Sequence, residues 1–112
     1  IKRETIQQRQ SICAVTIQEG ITKIGNHAFS GCENLVRVSL PESVVEIGYH
    51  AFRNCKKLIE IQFPQSIEKI GRGAFAGCSS LAAVHLPEGI QLAEDAFAGC
   101  PLSAAVEGVF ER

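Results

Sequence analysis

Gly48-Tyr-His-Ala-Phe-Arg-Asn-Cys-Lys-Lys-Leu-Ile-Glu-Ile-Gln-Phe-Pro-Gln-Ser-Ile-Glu-Lys-Ile70 is one unit of 23 residues, and the rest of the chain is built from copies of it. Phe29, Phe52 and Phe75 recur at that step, and Phe97 follows one residue early. Cys32, Cys55, Cys78 and Cys100 keep the same spacing, as do Pro41, Pro64 and Pro87. A fixed period of this length marks a stacked repeat array, in which one unit has no second layer of its own and buries its apolar side only against its neighbours.

Lining up the copies gives eight apolar columns. They are Ile12/Leu35/Leu58/Leu81, Val15/Val38/Ile61/Val84, Ile17/Leu40/Phe63/Leu86, Ile21/Val44/Ile67/Ile90 and Ile24/Ile47/Ile70/Leu92. Ala28/Ala51/Ala74/Ala96, Ile6/Phe29/Phe52/Phe75/Phe97 and the four cysteines complete them. Within each unit Val38-Ser-Leu40, Ile61-Gln-Phe63 and Val84-His-Leu86 alternate apolar with polar, the pattern of a half-buried strand. The prolines then end each strand, because Pro has no N–H for the ladder. A second, weaker extended piece is expected near Ile24, Ile47 and Ile70. Ala-Phe-x-Gly/Asn-Cys is too short for a stable helix and is expected as a 3₁₀ or simple turn.

Two slots report on the backbone. Gly31, Asn54, Gly77 and Gly99 share one; Gly and Asn both tolerate left-handed φ, so a positive-φ corner is expected there. Gly25, Gly48, Gly71 and Ala93 share the other, and the Ala points to close packing rather than positive φ. The last unit is disturbed: Ile90-Gln-Leu92 and Cys100-Pro-Leu102 are each one residue shorter than their counterparts.

The expected organisation is a single domain over 1–112. Residues 1–24 form a worn, polar N-terminal capping repeat; 25–47, 48–70 and 71–92 are regular repeats; 93–112 is a partial C-terminal repeat or cap. The chain contains no Met, so a processed product or a fragment of something longer is expected, and an export signal could have been lost with the missing part.

With 112 residues, 46% apolar, 21% charged and a net charge of −1, nothing suggests nucleic acid or an anionic membrane as partner. No apolar run is long enough to cross a bilayer as a helix. The column cysteines lie too far apart in sequence for a CxxC metal site and point the same way, which suits buried thiols rather than disulfides. Cys13 stands in a separate slot with Val36, Ile59 and Ala82. Such cysteine usage fits a reducing or anaerobic setting. His27 and His50 share a slot with Gly73 and Asp95 and are expected as close neighbours on a solvated turn, with only a weak metal signal. No nucleophile motif, phosphate-cradling loop or acid pair is present, so no catalytic, cofactor or metal site is expected. Charges alternate between copies: Lys23 faces Glu46, Arg37 faces Glu60, Glu33 faces Lys56 and Arg72 faces Glu94. Glu19, Glu42, Gln65 and Glu88 form a mostly acidic rim.

Leu35-x-x-Val38-x-Leu40-Pro41-x-x-Val44-x-x-Ile47-Gly48-x-x-Ala51-Phe52-x-x-Cys55 resembles the repeat of the BspA-like, or Treponema pallidum type, leucine-rich proteins, and the match recurs through residues 12–100. Gln18 in place of Pro and Ala93 in place of Gly depart from it. The resemblance implies a leucine-rich-repeat solenoid, a right-handed superhelix with one short parallel strand per repeat and 3₁₀ or turn segments opposite. It also implies a non-enzymatic role in binding proteins, commonly as an adhesin, secreted or at the cell surface. The outward strand positions vary between copies while the core does not, so Thr16, Arg37, Ser39, Glu60, Gln62 and His85 on the concave sheet face are the expected protein-binding residues. The competing reading is a structural spacer that self-associates end to end through Val109 and Phe110. A carbohydrate-targeting piece of an enzyme ranks below both, since no Trp and one Tyr leave few rings for sugar stacking.

Overall fold

A computed structural model describes residues 11–82 and 84–101. The chain coils as a parallel β-solenoid, and the strands among the described residues, β1 (Ala14–Thr16), β2 (Lys23–Ile24), β3 (Arg37–Ser39), β4 (Glu46–Ile47), β5 (Glu60–Gln62), β6 (Lys69–Ile70) and β7 (Gln91–Leu92), fall into two sheets. The first sheet has the order β1-β3-β5 and the second β2-β4-β6-β7. Registers follow the repeat: Val15 pairs with Val38 and Val38 with Ile61, while Ile24 pairs with Ile47, Ile47 with Ile70 and Ile70 with Leu92. A one-residue slip would turn every apolar side chain outward, so the columns themselves fix this register.

Val84–Leu86, expected as a fourth strand of the first sheet, is not paired into it among the described residues. Its side chains keep the alternation all the same, with Val84 and Leu86 buried and His85 exposed.

The core is the set of columns. Phe29, Phe52 and Phe75 are fully buried, as are Ile24, Ile47 and Ile70, Leu35, Leu58 and Leu81, and Cys32, Cys55 and Cys78. The phenylalanine rings stack nearly parallel, with centroids 5.1 Å apart for Phe29–Phe52 and Phe52–Phe75 and 5.2 Å for Phe75–Phe97. That spacing is close to the ~4.8 Å between neighbouring strands, so one rise serves both backbone and rings. The ring of Phe63 meets Phe75 edge-on at 5.7 Å. A column cysteine reaches across to the turn before it: Cys55 Sγ donates to the Phe29 carbonyl at 3.2 Å and Cys78 Sγ to that of Phe52 at 3.0 Å. Hydrogen bonding with the thiols of Cys100 and Cys55, and then burial, push the Cys78 thiol well up from its ordinary range.

The segment from the Gly48 slot to the Cys55 slot is a third wall. Gly48 N and Tyr49 N donate back to Ile24 O and Asn26 Oδ1 of the turn before, and from His50 onward the N–H groups divide by parity. Ala51, Arg53 and Cys55 bond within the turn to Gly48, His50 and Phe52, while His50, Phe52 and Asn54 donate to Arg72, Ala74 and Ala76 of the next turn at 2.7–2.9 Å. The first and third turns repeat the arrangement, from His27 N to Tyr49 O and from Phe75 N to Ala96 O. From the His50 slot to the Asn54 slot, every one of these inter-turn bonds runs from a turn to its successor. The segment is therefore more than a connector: it satisfies its own polar groups and stitches the stack.

Two slots in this wall carry left-handed residues. Gly31, Asn54, Gly77 and Gly99 have φ of 76°, 61°, 80° and 79°, as expected from their composition. His27, His50, Gly73 and Asp95 have φ of 61°, 54°, 59° and 60°, so the histidine slot is a second positive-φ corner. The Gly48 and Gly71 slot is a close approach instead. A Cβ on Gly71 would lie 2.8 Å from Tyr49 N and 2.9 Å from Gly48 C. The serines after the prolines also cross turns: Ser43 Oγ donates to Ile21 O at 2.7 Å, and Ser66 Oγ lies within hydrogen-bonding distance of Glu42 O and Val44 O.

Candidate functional site

On the outer face of the first sheet, residue parity leaves Thr16, Arg37, Ser39, Glu60 and Gln62 exposed, because their neighbours Val15, Val38 and Ile61 point into the core. The parallel register sets Ala14, Arg37 and Glu60 in one row and Thr16, Ser39 and Gln62 in the next. These side chains line a shallow hollow of about 250 Å³. Five of the six residues expected from the sequence thus share one surface; His85 is exposed one turn further on but does not line that hollow.

The electrostatics of this face are mild. Arg37 Nε donates to Glu60 Oε1 at 3.4 Å, with both side chains more than half exposed, which limits the pair to well under ~1 kcal/mol. Lys23 and Glu46 form the equivalent contact on the second sheet at 3.7 Å. Glu33 and Lys56 do not close into an ion pair, nor do Arg72 and Glu94. Exposed side chains gain too little from such contacts to give up their freedom. Glu19, Glu42 and Glu88 stand exposed on the rim. Val109 and Phe110, the residues expected to drive self-association, lie outside the described residues, as do residues 1–10 of the expected N-terminal cap.

A second cluster was not legible as such in the sequence. His27, Tyr49 and His50 meet edge to face, with ring centroids 5.0–5.6 Å apart. The histidines are half-buried rather than solvated. Burial, then the charges of His27, Arg53 and Arg72, lower the pKa of His50 below its ordinary value of 6.5. Its Nδ1 is buried without a hydrogen-bond partner. Tyr49, His50 and Arg72 line a separate hollow of about 370 Å³. The signal available in the sequence was the company of His, His, Gly and Asp in one slot, all residues that tolerate left-handed backbone. Among the described residues no group of three or more His, Cys, Asp or Glu side chains is placed to hold a metal ion.

The sequence profile of the BspA type leucine rich repeat region matches residues 1–106 in six copies. No curated protein matches the chain. Among solved structures, a leucine-rich cell surface protein from Faecalibacterium prausnitzii A2-165 is 44% identical, with a TM-score of 0.79 over 85% of this chain and 26% of its own. A leucine-rich repeat protein from Bacteroides ovatus ATCC 8483 is 35% identical, with a TM-score of 0.77 over 80% of this chain and 26% of its own. The leucine-rich repeat protein of T. pallidum is 30% identical, with a TM-score of 0.64 over 82% of this chain and 57% of its own. The chain therefore spans between about a quarter and rather more than half of the length of these relatives. With stacked phenylalanines and paired strands recurring at the repeat step, and a profile match that covers nearly all of its length, the chain belongs to the BspA-type leucine-rich-repeat family.

Proposed function

We propose that this chain is a non-enzymatic protein-binding module that docks its partner on the outer face of the first sheet, through Thr16, Arg37, Ser39, Glu60, Gln62 and His85. The observation that carries the reading is a division of labour. The inward residues of β1, β3 and β5 are near-identical apolar groups committed to the stack. The outward residues differ from turn to turn, are exposed, and have no packing duty. Rigid backbone beneath varied polar side chains is what an extended recognition surface requires.

The parent molecule is read as secreted or surface-borne, with an adhesin-like role. Support comes from the family and from a structural relative described as a cell surface protein.

The test compares capture of partner proteins by the native chain with capture by Arg37→Glu, Glu60→Lys and His85→Ala. Loss of a specific partner without a fall in melting temperature supports the face. Undiminished capture by all three variants refutes it.

A further inference from the structure

The cluster around His50 costs the fold something that packing does not return. His27 and His50 hold φ of 61° and 54°, a region that disfavours residues with a Cβ. The third turn avoids that cost by placing Gly73 in the slot. His50 also buries Nδ1 without a partner, a desolvation that neutral core residues escape. Its ring lies against Gly73, where an added Cβ would come within 2.5 Å of Cδ2, so the glycine leaves room for the imidazole. A strained residue supported by its neighbours is a reason to look for a role at that place.

The surroundings say what kind. Two arginines, Arg72 in the wall of the same hollow and Arg53 three residues along the turn, disfavour a charged His50. Glu94 and Asp95 continue the slots of Arg72 and His50 in the last turn, yet neither closes an ion pair with this cluster. The chain as a whole is slightly acidic, so this is a local concentration of positive charge. Tyr49, the only tyrosine, is 48% exposed and forms one wall of the hollow with His50 and Arg72. At about 370 Å³ the hollow has the size of a small-molecule site. An arginine fork beside an imidazole suits an oxyanion, and an exposed phenol ring can cover a small carbon skeleton or donate its hydroxyl.

We propose that the hollow between Tyr49, His50 and Arg72, on the turn wall away from the first sheet, binds a small oxyanion, carried as a carboxylate or as phosphate. Arg72 holds the anion, Arg53 and His27 add to the field, and His50 donates a ring N–H when the anion is present. Binding favours the charged imidazole, so it raises the pKa of His50.

The experiment is an NMR titration of the intact chain with glucuronate, with inorganic phosphate and with glucose as the neutral control. Saturable shifts at Tyr49, His50 and Arg72 with either anion and none with glucose support the site, and the tighter anion identifies the source. Arg72→Gln should weaken binding about tenfold or more. His50→Gly keeps a residue that accepts the local φ, so it should remain folded and lose affinity as well. Absence of shifts with both anions, equal shifts with glucose, or affinity untouched by both variants overturns the proposal. Arg37→Glu, on the first sheet, should leave anion binding unchanged, which separates this site from the protein-binding face.

Discussion

Gly71→Ala tests whether the turns are as closely seated as the geometry requires. The new Cβ would stand 2.8 Å from Tyr49 N, 2.9 Å from Gly48 C and 3.1 Å from Ile47 O. Ordinary carbon contacts lie near 3.5–4.0 Å. All three neighbours are backbone atoms, and the 2.8 Å hydrogen bond from Gly71 N to Ile47 O ties the same strands together. The turn must back away by roughly half an ångström, stretching that bond and loosening the rings beneath. Overpacking of this kind costs about 3 kcal/mol, at the upper end of its range. Alanine returns up to about 1 kcal/mol by restricting the unfolded chain. The expected net loss is about 2 kcal/mol.

Gly31→Ala is the control. Its Cβ would meet nothing within 4 Å, but its φ is 76°. There the loss is the left-handed penalty of about 1–2 kcal/mol less the same unfolded-state return, so about 0.5–1 kcal/mol net. Urea denaturation followed by circular dichroism reads both, and at about 4 °C per kcal/mol the melting points should fall by about 8 °C and 2–4 °C. A Gly71→Ala chain as stable as the native one, or more stable than Gly31→Ala, refutes the idea that backbone contact sets the repeat.

Other expectations follow from the core and its titrating groups. Phe52→Ala removes a fully buried ring stacked on both sides and should cost about 4 kcal/mol, well above Phe97→Ala, which removes a half-buried ring; chemical denaturation reads the difference. His50 has a depressed pKa in the folded chain, so the unfolded chain takes up its proton first. Its stabilising effect is therefore full above the ordinary histidine value of 6.5 and is lost as pH falls through the depressed one. His50→Asn should flatten that acid limb in a pH series of melting curves. Under native conditions a thiol reagent should modify exposed Cys13 readily, while Cys32, Cys55 and Cys78 react only on unfolding, as peptide mapping of the labelled protein would show.

The columns could be read directly because stacking makes like residues meet like, so a period in the sequence becomes a contact in space. Phe29, Phe52 and Phe75 needed no long-range inference. The two kinds of glycine slot were separable because Asn54 marks a position with left-handed φ, whereas Ala93 marks one that does not depend on it. What escaped was chemistry held by backbone rather than side chains. Nothing in the residues between the Gly48 and Cys55 slots shows that alternate N–H groups reach the next turn. The serine bonds of Ser43 and Ser66 were hidden because a serine after a turn proline is ordinary. The hollow beside His50 depends on Tyr49 and Arg72 being brought together from the same slot of adjacent turns, and neither residue recurs there in another copy. The shortened last unit does make sense afterwards. Its two deletions fall on either side of residues 93–100, leaving the eight-residue wall intact. Loss of a residue inside it would exchange the N–H groups that bond inward with those that bond across.

The one-way hydrogen bonds of that wall give the coil a sense of direction. From the His50 slot to the Asn54 slot the inter-turn donors all face the next turn and the acceptors the turn before, from His27 to Ala98, whereas the Gly48 slot at the start of the wall donates backward. Two such coils can therefore extend one another through this wall only nose to tail. A mirror-like meeting of matching ends, the geometry of a two-fold dimer, would set amide hydrogen against amide hydrogen. Any assembly that uses this edge must be a queue rather than a handshake.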